Sequence, residues 1–161
     1  MSKVGFIGVG TMGCPMASNI ISKGNDLKFY DPFVHDENKS KLENLGAQYC
    51  TSIKDLLDDS EFVITMLPNG NNVKDVCMGE DGLLKQEKKD YVHIDMSTIL
   101  PADSIAINKE FESHNIKMFD APVARLVNNA IDGTLLILVG GDKDKFDEIK
   151  PLLETTSLPL V

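Results

Sequence analysis

Gly8-Val9-Gly10-Thr11-Met12-Gly13 places three glycines in the spacing G-x-G-x-x-G, and the chemistry of that spacing is phosphate binding. The first glycine permits a tight turn, the second lets backbone approach a pyrophosphate, and the third lets a helix pack closely on a strand. Amides at the start of such a helix carry partial positive charge and favour an anion. The surrounding sequence does not oppose one: residues 1–25 contain no Asp or Glu, although the chain has 25 acids, and the first is Asp26. Pro15 suits a first helical turn, where its missing donor costs little. Asp31 follows Gly13 by 18 residues, close to the spacing at which a carboxylate meets the hydroxyls of an adenosine ribose. A carboxylate there accepts from both hydroxyls and repels a 2′-phosphate, so the pattern predicts NAD(H) over NADP(H). The plainer alternatives are a ligand-free glycine turn and an Asp31 that serves only as a turn residue before Pro32.

These residues need strands and helices to hold them. Short apolar runs recur at Val4 to Ile7, Leu27 to Tyr30, Phe62 to Leu67, Val92 to Asp95, Met118 to Ala121 and Leu135 to Val139. The runs at 62–67 and 135–139 are continuously apolar, as in strands covered by helices on both faces. Between them lie amphipathic segments: Met12, Met16, Ala17, Ile20 and Ile21 share one helical face, and Gly24 sits where a helix C-terminal glycine would. Further helices are expected over 36–45, 52–57, 72–77, 102–113 and 142–153, and a last short strand over 157–161. Alternating strands and helices predict an α/β, doubly wound Rossmann-type domain with a mainly parallel sheet, spanning residues 1–161 as one unit.

A chain of 161 residues with 42% apolar and 25% charged content fits one globular domain with a proper core. The net charge of −9 argues against nucleic acid and anionic membrane surfaces as partners. No run is long enough to span a bilayer and no signal peptide opens the chain, so a cytoplasmic protein is expected. Cys14, Cys50 and Cys77 are widely spaced and odd in number, which indicates neither a disulfide framework nor a thiolate metal site. Cys14 reads as a small residue packed beside the glycine loop, His93 as a core or strand-end histidine, and His114 as a complement to a helix C-terminus. No metal site is expected.

With these landmarks the chain resembles the β-hydroxyacid dehydrogenase family. The resemblance runs along the whole sequence: Gly-x-Gly-x-Met-Gly, Met66-Leu67-Pro68-Asn69, Asp95-Met96-Ser97-Thr98-Ile99-Leu100-Pro101, Asp120-Ala121-Pro122-Val123, and Gly133-Thr134-Leu135 followed by Val139-Gly140-Gly141. It implies that Gly8, Gly10, Thr11, Met12, Gly13 and Asp31 contact NAD, and that Leu67, Pro68, Asn69 and Thr98 border its nicotinamide half. It also implies a substrate contact at Ser97 and at the segment after Val123. Members commonly continue there with Ser-Gly-Gly, whereas this chain has Ala124-Arg125-Leu126. Arg125 is the one arginine among 16 cations, and a guanidinium presents several donors to a carboxylate or sulfonate. A surface or salt-bridge role for Arg125 is the ordinary alternative.

The resemblance therefore implies an NAD-dependent oxidoreductase that interconverts a small anionic aldehyde and its hydroxy acid. Reduction of an aldehyde needs a proton donor at the developing alkoxide, which in the family is a lysine within Gly-x-x-x-Lys-x-x-x-Asn on a following all-helical domain. That motif is not found before Val161, and Lys150 lies too early to match it. The expectation is a chain without a catalytic residue of its own and without the family's helical domain, which alone would be inactive. A non-catalytic NAD-binding module for assembly or sensing is the alternative. Apolar surface left uncovered would favour a weak homo-oligomer.

Overall fold

The computed structural model describes residues 1–160. Strand β1 (Lys3–Ile7) leads into helix α1 (Gly13–Ser22), then β2 (Asp26–Tyr30), α2 (Asp36–Asn44), β3 (Gln48–Tyr49), α3 (Ile53–Leu57), β4 (Phe62–Thr65) and α4 (Gly70–Met78). After a 3-10 turn at Leu83–Lys85 come β5 (Val92–Asp95), α5 (Pro101–Ser113), β6 (Lys117–Asp120), β7 (Val123–Ala124), α6 (Val127–Asp132), β8 (Leu136–Ile137) and α7 (Phe146–Leu153). Six strands form one sheet in the order β3-β2-β1-β4-β5-β6, and every pairing is parallel. This is the doubly wound, Rossmann-type arrangement, with the strand order reversing between β1 and β4.

The strand sequences explain the layering. Val4, Phe6, Phe29, Ile64, Ile94 and Phe119 point to one face, where α1 and α7 supply Met16, Ile20, Ile149 and Leu153. Ile7, Val63 and Met118 point to the other, against Leu56 of α3, Val73 of α4, and Ile107 and Phe111 of α5. Phe6, Phe29, Phe111 and Phe119 are fully buried, each contributing about 1.5–3 kcal/mol by removal from water. Helix starts follow local chemistry. Ser52 accepts the Asp55 amide at α3 and Asn69 accepts the Asn72 amide at α4, while α5 begins with Pro101. Gly24, with φ +86°, follows the C-cap of α1.

The run at 135–139 departs from its expected setting. Leu135 and Ile137 are buried, but Leu136 and Leu138 are 43% and 62% exposed, because β8 pairs antiparallel with β7 in a separate two-stranded ribbon. One face is covered instead of two. The expected strand at 157–161 reduces to a single parallel bridge between Ser157 and Leu135, and Val161 lies outside the described residues. Helix α6 and strand β3 were not anticipated. Among the described residues no helix is long and apolar enough to cross a membrane.

Candidate functional site: the cleft at the strand C-terminal ends

Strands β1, β2, β4, β5 and β6 all end on one edge of the sheet, so the loops that follow them share one rim. Backbone bonds continue past the strands and fix these loops: Gly8 N donates to Tyr30 O, Met66 N to Ile7 O, Met96 N to Thr65 O and Ala121 N to Asp95 O. Gly8 has φ +93°, and a Cβ there would lie 2.4 Å from Met66 O. Only glycine lets the loops after β1 and β4 meet at the point where strand order reverses. A Cβ on Gly13 would lie 1.9 Å from Gly8 O, so α1 reaches the loop only because residue 13 has no side chain.

Gly10 is different. A Cβ there would meet nothing within 4 Å, so the fold itself does not demand glycine. The amides of Gly10, Thr11 and Met12 meet no acceptor among the described residues. An open backbone with free N–H groups at the start of a ten-residue helix fits a pyrophosphate. Asn38 reinforces the loop by donating its side-chain amide to Val9 O at 2.9 Å.

Asp31 stands at the end of β2 with both carboxylate oxygens engaged. Oδ2 accepts the Val9 amide at 3.0 Å and Oδ1 accepts the Phe33 amide at 2.9 Å. The residue thus combines the turn role with a clamp on the glycine loop, and each carboxylate oxygen retains a lone pair for a ribose hydroxyl. A cleft of about 520 Å³ opens beside it, lined by Gly8 and Gly10, by Asp31 and Phe33, by Leu67 and Pro68, and by residues of α4 and the turn beyond. Phe33 is 88% exposed at its mouth.

The remaining expected site residues fall into two groups. Thr11 and Met12 flank the loop: Thr11 is exposed and borders a second recess, and Met12 packs against the core. Asn69 is exposed and caps α4. Ser97, Thr98, Ala124, Arg125 and Leu126 are not among the residues lining the cleft. They occupy the adjoining part of the rim, after β5, on β7 and in the connection from β7 to α6. Ser97 is fully buried and accepts the Leu67 amide at 2.9 Å. Thr98 is exposed, with its hydroxyl 3.5 Å from Val123 O. Arg125 is exposed, has φ +89°, and donates from Nη1 to Thr134 O at 3.2 Å. Ala124 and Leu126 flank it, both exposed.

Beneath this rim lies a buried polar row. Thr65 donates its hydroxyl to Asp95 Oδ1 at 2.8 Å, and His93 Nε2 lies 3.0 Å from the same hydroxyl oxygen. The hydroxyl proton is committed to Asp95, so His93 Nε2 is the donor and the ring is the Nε2–H tautomer. His93 also stacks on Phe111 with centroids 4.6 Å apart. Burial pushes its pKa down to about 3. Burial pushes the Asp95 carboxyl upward against the opposing bonds from Ser97 and Thr65, and Asp120 on the next strand adds to the rise. Among the described residues His93 Nδ1 and Asp95 Oδ2 have no partner. Cys14, Cys50 and Cys77 are buried and free, with thiols pushed up by desolvation. Among the described residues no group of acids, histidines and cysteines could hold a metal ion.

Phe33, Asn72, Asp75, Val76 and Asp81 also line the cleft and were not anticipated. The only signal for them is the position of Phe33, an aromatic set among turn residues just past Asp31.

Residues 3–159 match the family model described as the NAD binding domain of 6-phosphogluconate dehydrogenase. The chain is 38% identical over 161 residues to 3-sulfolactaldehyde reductase of Escherichia coli (strain K12), covering all of this chain and 53% of that protein. It is 39% identical over 151 residues to mitochondrial 3-hydroxyisobutyrate dehydrogenase of Mus musculus, covering 94% of this chain and 44% of the relative. Among solved structures it is similar to Mycobacterium tuberculosis 3-hydroxyisobutyrate dehydrogenase with L-serine, with a TM-score of 0.91, 30% identity, and coverage of 100% of this chain and 54% of the other. The chain spans about half the length of the relatives it matches.

Proposed function

The chain belongs to the family of the NAD-binding domain of 6-phosphogluconate dehydrogenase, and from that membership we propose that it serves an NAD(H)-dependent oxidoreductase acting on a small anionic aldehyde or the corresponding hydroxy acid. The observation that carries this reading is the glycine loop. Gly10 is open where Gly8 and Gly13 are sterically required, and ligand access explains a glycine that packing does not need. In this reading residues 1–161 act as one nucleotide-binding unit. The bound cofactor supplies the hydride. The Gly10 to Met12 amides hold the pyrophosphate beside Gly8 and Gly13, Asp31 takes the adenosine ribose, and Leu67, Pro68, Asn69 and Thr98 border the nicotinamide half. Ser97, Ala124, Arg125 and Leu126 form the wall toward the substrate.

The narrower substrate reading is a sulfonated aldehyde such as 3-sulfolactaldehyde. It is supported by the similarity to a 3-sulfolactaldehyde reductase and by Arg125, whose guanidinium spends one N–H on Thr134 O and keeps others for an anion. None of the cleft residues is assigned as proton donor. The 161-residue chain is therefore expected to bind NADH without oxidising it, and a non-catalytic NAD-binding module is the competing reading. The test is a titration with NADH followed by assays with sulfonated and carboxylated semialdehydes, on this chain and on the complete protein as the cell makes it. Oxidation by the complete protein supports the oxidoreductase. Binding without turnover of any aldehyde supports the module, and preference for a carboxylate removes only the sulfonate reading. The exposed Leu126, Ile131, Leu136 and Leu138 support weak self-association, which sedimentation over a concentration series would detect.

A further inference from the structure

The charge of the cleft is more one-sided than a single ribose-binding carboxylate requires. Besides Asp31, its lining among the described residues includes Asp75 on α4 and Asp81 in the turn that follows, with His35 and no lysine or arginine. Two lysines on the flanking elements are engaged elsewhere. Lys74, next to Asp75, pairs with Asp103 of α5. Lys39 of α2 stands over the Tyr49 ring at 3.9 Å, and Lys41 shares the adjoining recess with Glu37. A sphere of the cleft's 520 Å³ is about 10 Å across, comparable to the Debye length of about 8–10 Å at ordinary ionic strength. A charge placed inside therefore feels all three carboxylates, and apolar walls at Ile7, Ile53 and Val76 reduce the screening further.

We propose that Asp75 and Asp81 are specificity determinants for the cofactor, forming with Asp31 an acidic wall that rejects an adenosine bearing a 2′-phosphate. The proposal rests on reading the cleft as the dinucleotide site. The adenosine of NAD(H) is uncharged, and its pyrophosphate lies at the Gly10 to Met12 amides, whose partial positive charge offsets the field of the carboxylates there. A 2′-phosphate brings close to two negative charges into the same space. At these separations, two exposed carboxylates oppose it by roughly tenfold in affinity at low ionic strength. Replacing Asp31 alone then leaves part of the NADPH penalty in place.

Calorimetric titration of the full chain with NADH and with NADPH tests this at low and high salt. The variants are Asp31→Asn, Asp75→Asn with Asp81→Asn, and all three together. Asp75 and Asp81 are exposed, and thermal unfolding checks that each variant is folded. The expected result is that Asp75→Asn/Asp81→Asn leaves the NADH Kd nearly unchanged and tightens NADPH by roughly tenfold at low salt, with a smaller gain at high salt. The triple variant should bind NADPH more tightly than Asp31→Asn. Equal changes for both dinucleotides, no change for either, or an Asp31→Asn variant that binds NADPH as tightly as the triple variant would each overturn the proposal and leave the cofactor reading standing. Failure of the unaltered chain to bind NADH would instead overturn the reading on which the proposal rests.

Discussion

Ser97 Oγ accepts the backbone amide of Leu67 at 2.9 Å, which joins the loop after β5 to the loop after β4. The joint is fully buried on the Ser97 side and is backed by Asp95, which accepts the Ser97 amide at 3.1 Å and the Thr65 hydroxyl at 2.8 Å. Leu67 lines the cleft, so the position of one wall of the cleft depends on a chain of buried bonds beneath it.

Ser97→Ala should expose that dependence. The Leu67 amide would lose its acceptor in a partly buried site, which costs about 1–3 kcal/mol. Denaturant unfolding should show a loss of that size, and NADH titration should show severalfold weaker binding because the Leu67–Pro68 wall is no longer held. Unchanged stability and affinity would mean that water replaces the serine hydroxyl.

Gly10→Ala should separate binding from folding. The added methyl meets nothing within 4 Å, so stability should change by no more than about 0.5 kcal/mol. The same methyl would stand between the loop amides and a pyrophosphate, so NADH affinity should fall by at least roughly tenfold, about 1.4 kcal/mol. Gly13→Ala should instead disrupt folding, since its methyl would collide with Gly8 O. Wild-type NADH affinity in a well-folded Gly10→Ala chain would move the phosphate site away from this loop.

The contrast among the glycines shows what the sequence reveals and what it hides. The strand, glycine loop and helix at 3–22 were legible because each role has a fixed spacing, and Asp31 followed from the same template. Helix α6 was not, because Val127–Asp132 buries only Ala130 and so displays no periodic apolar face. The run at 135–139 misled for the opposite reason. All five residues are apolar, yet β8 covers one face only, and composition does not report which neighbour a strand finds. The Ser97 to Leu67 bond, and the meeting of Asp75 and Asp81 with Asp31 across one cleft, join segments distant in sequence and carry no local signature.

Arg125 offers a test of stored backbone strain. A non-glycine residue at φ +89° costs about 1–2 kcal/mol, part of which a glycine returns through its larger unfolded-state entropy. Arg125→Gly should therefore stabilise the fold by about 0.5–1 kcal/mol, whereas Arg125→Ala, which keeps the Cβ, should not. Both lose the guanidinium. Paired denaturation curves check the difference, and equal stability for the two variants would show that the strain is relaxed in solution.

His93 sets the acid sensitivity of the fold. Its pKa is lowered from an ordinary 6.5 to about 3 by burial, so on acidification the unfolded chain takes up this proton first. Stability contributed by the neutral ring is complete above pH 6.5 and is lost as pH falls toward 3, with a slope approaching about 1.4 kcal/mol per pH unit. Asp95 acts in the opposite sense. Burial raises its pKa in the folded state, so the folded chain gains that proton first and acidification through that range adds stability. His93→Gln keeps a donor for Thr65 and removes the titrating ring. Urea unfolding between pH 6.5 and 4.5 should show the wild type losing about 2–3 kcal/mol from this source before any Asp95 offset, and the variant should lose correspondingly less over the same interval. Superimposable pH profiles for the two proteins would show that His93 accepts its proton without leaving the core, most directly through the unpartnered Nδ1.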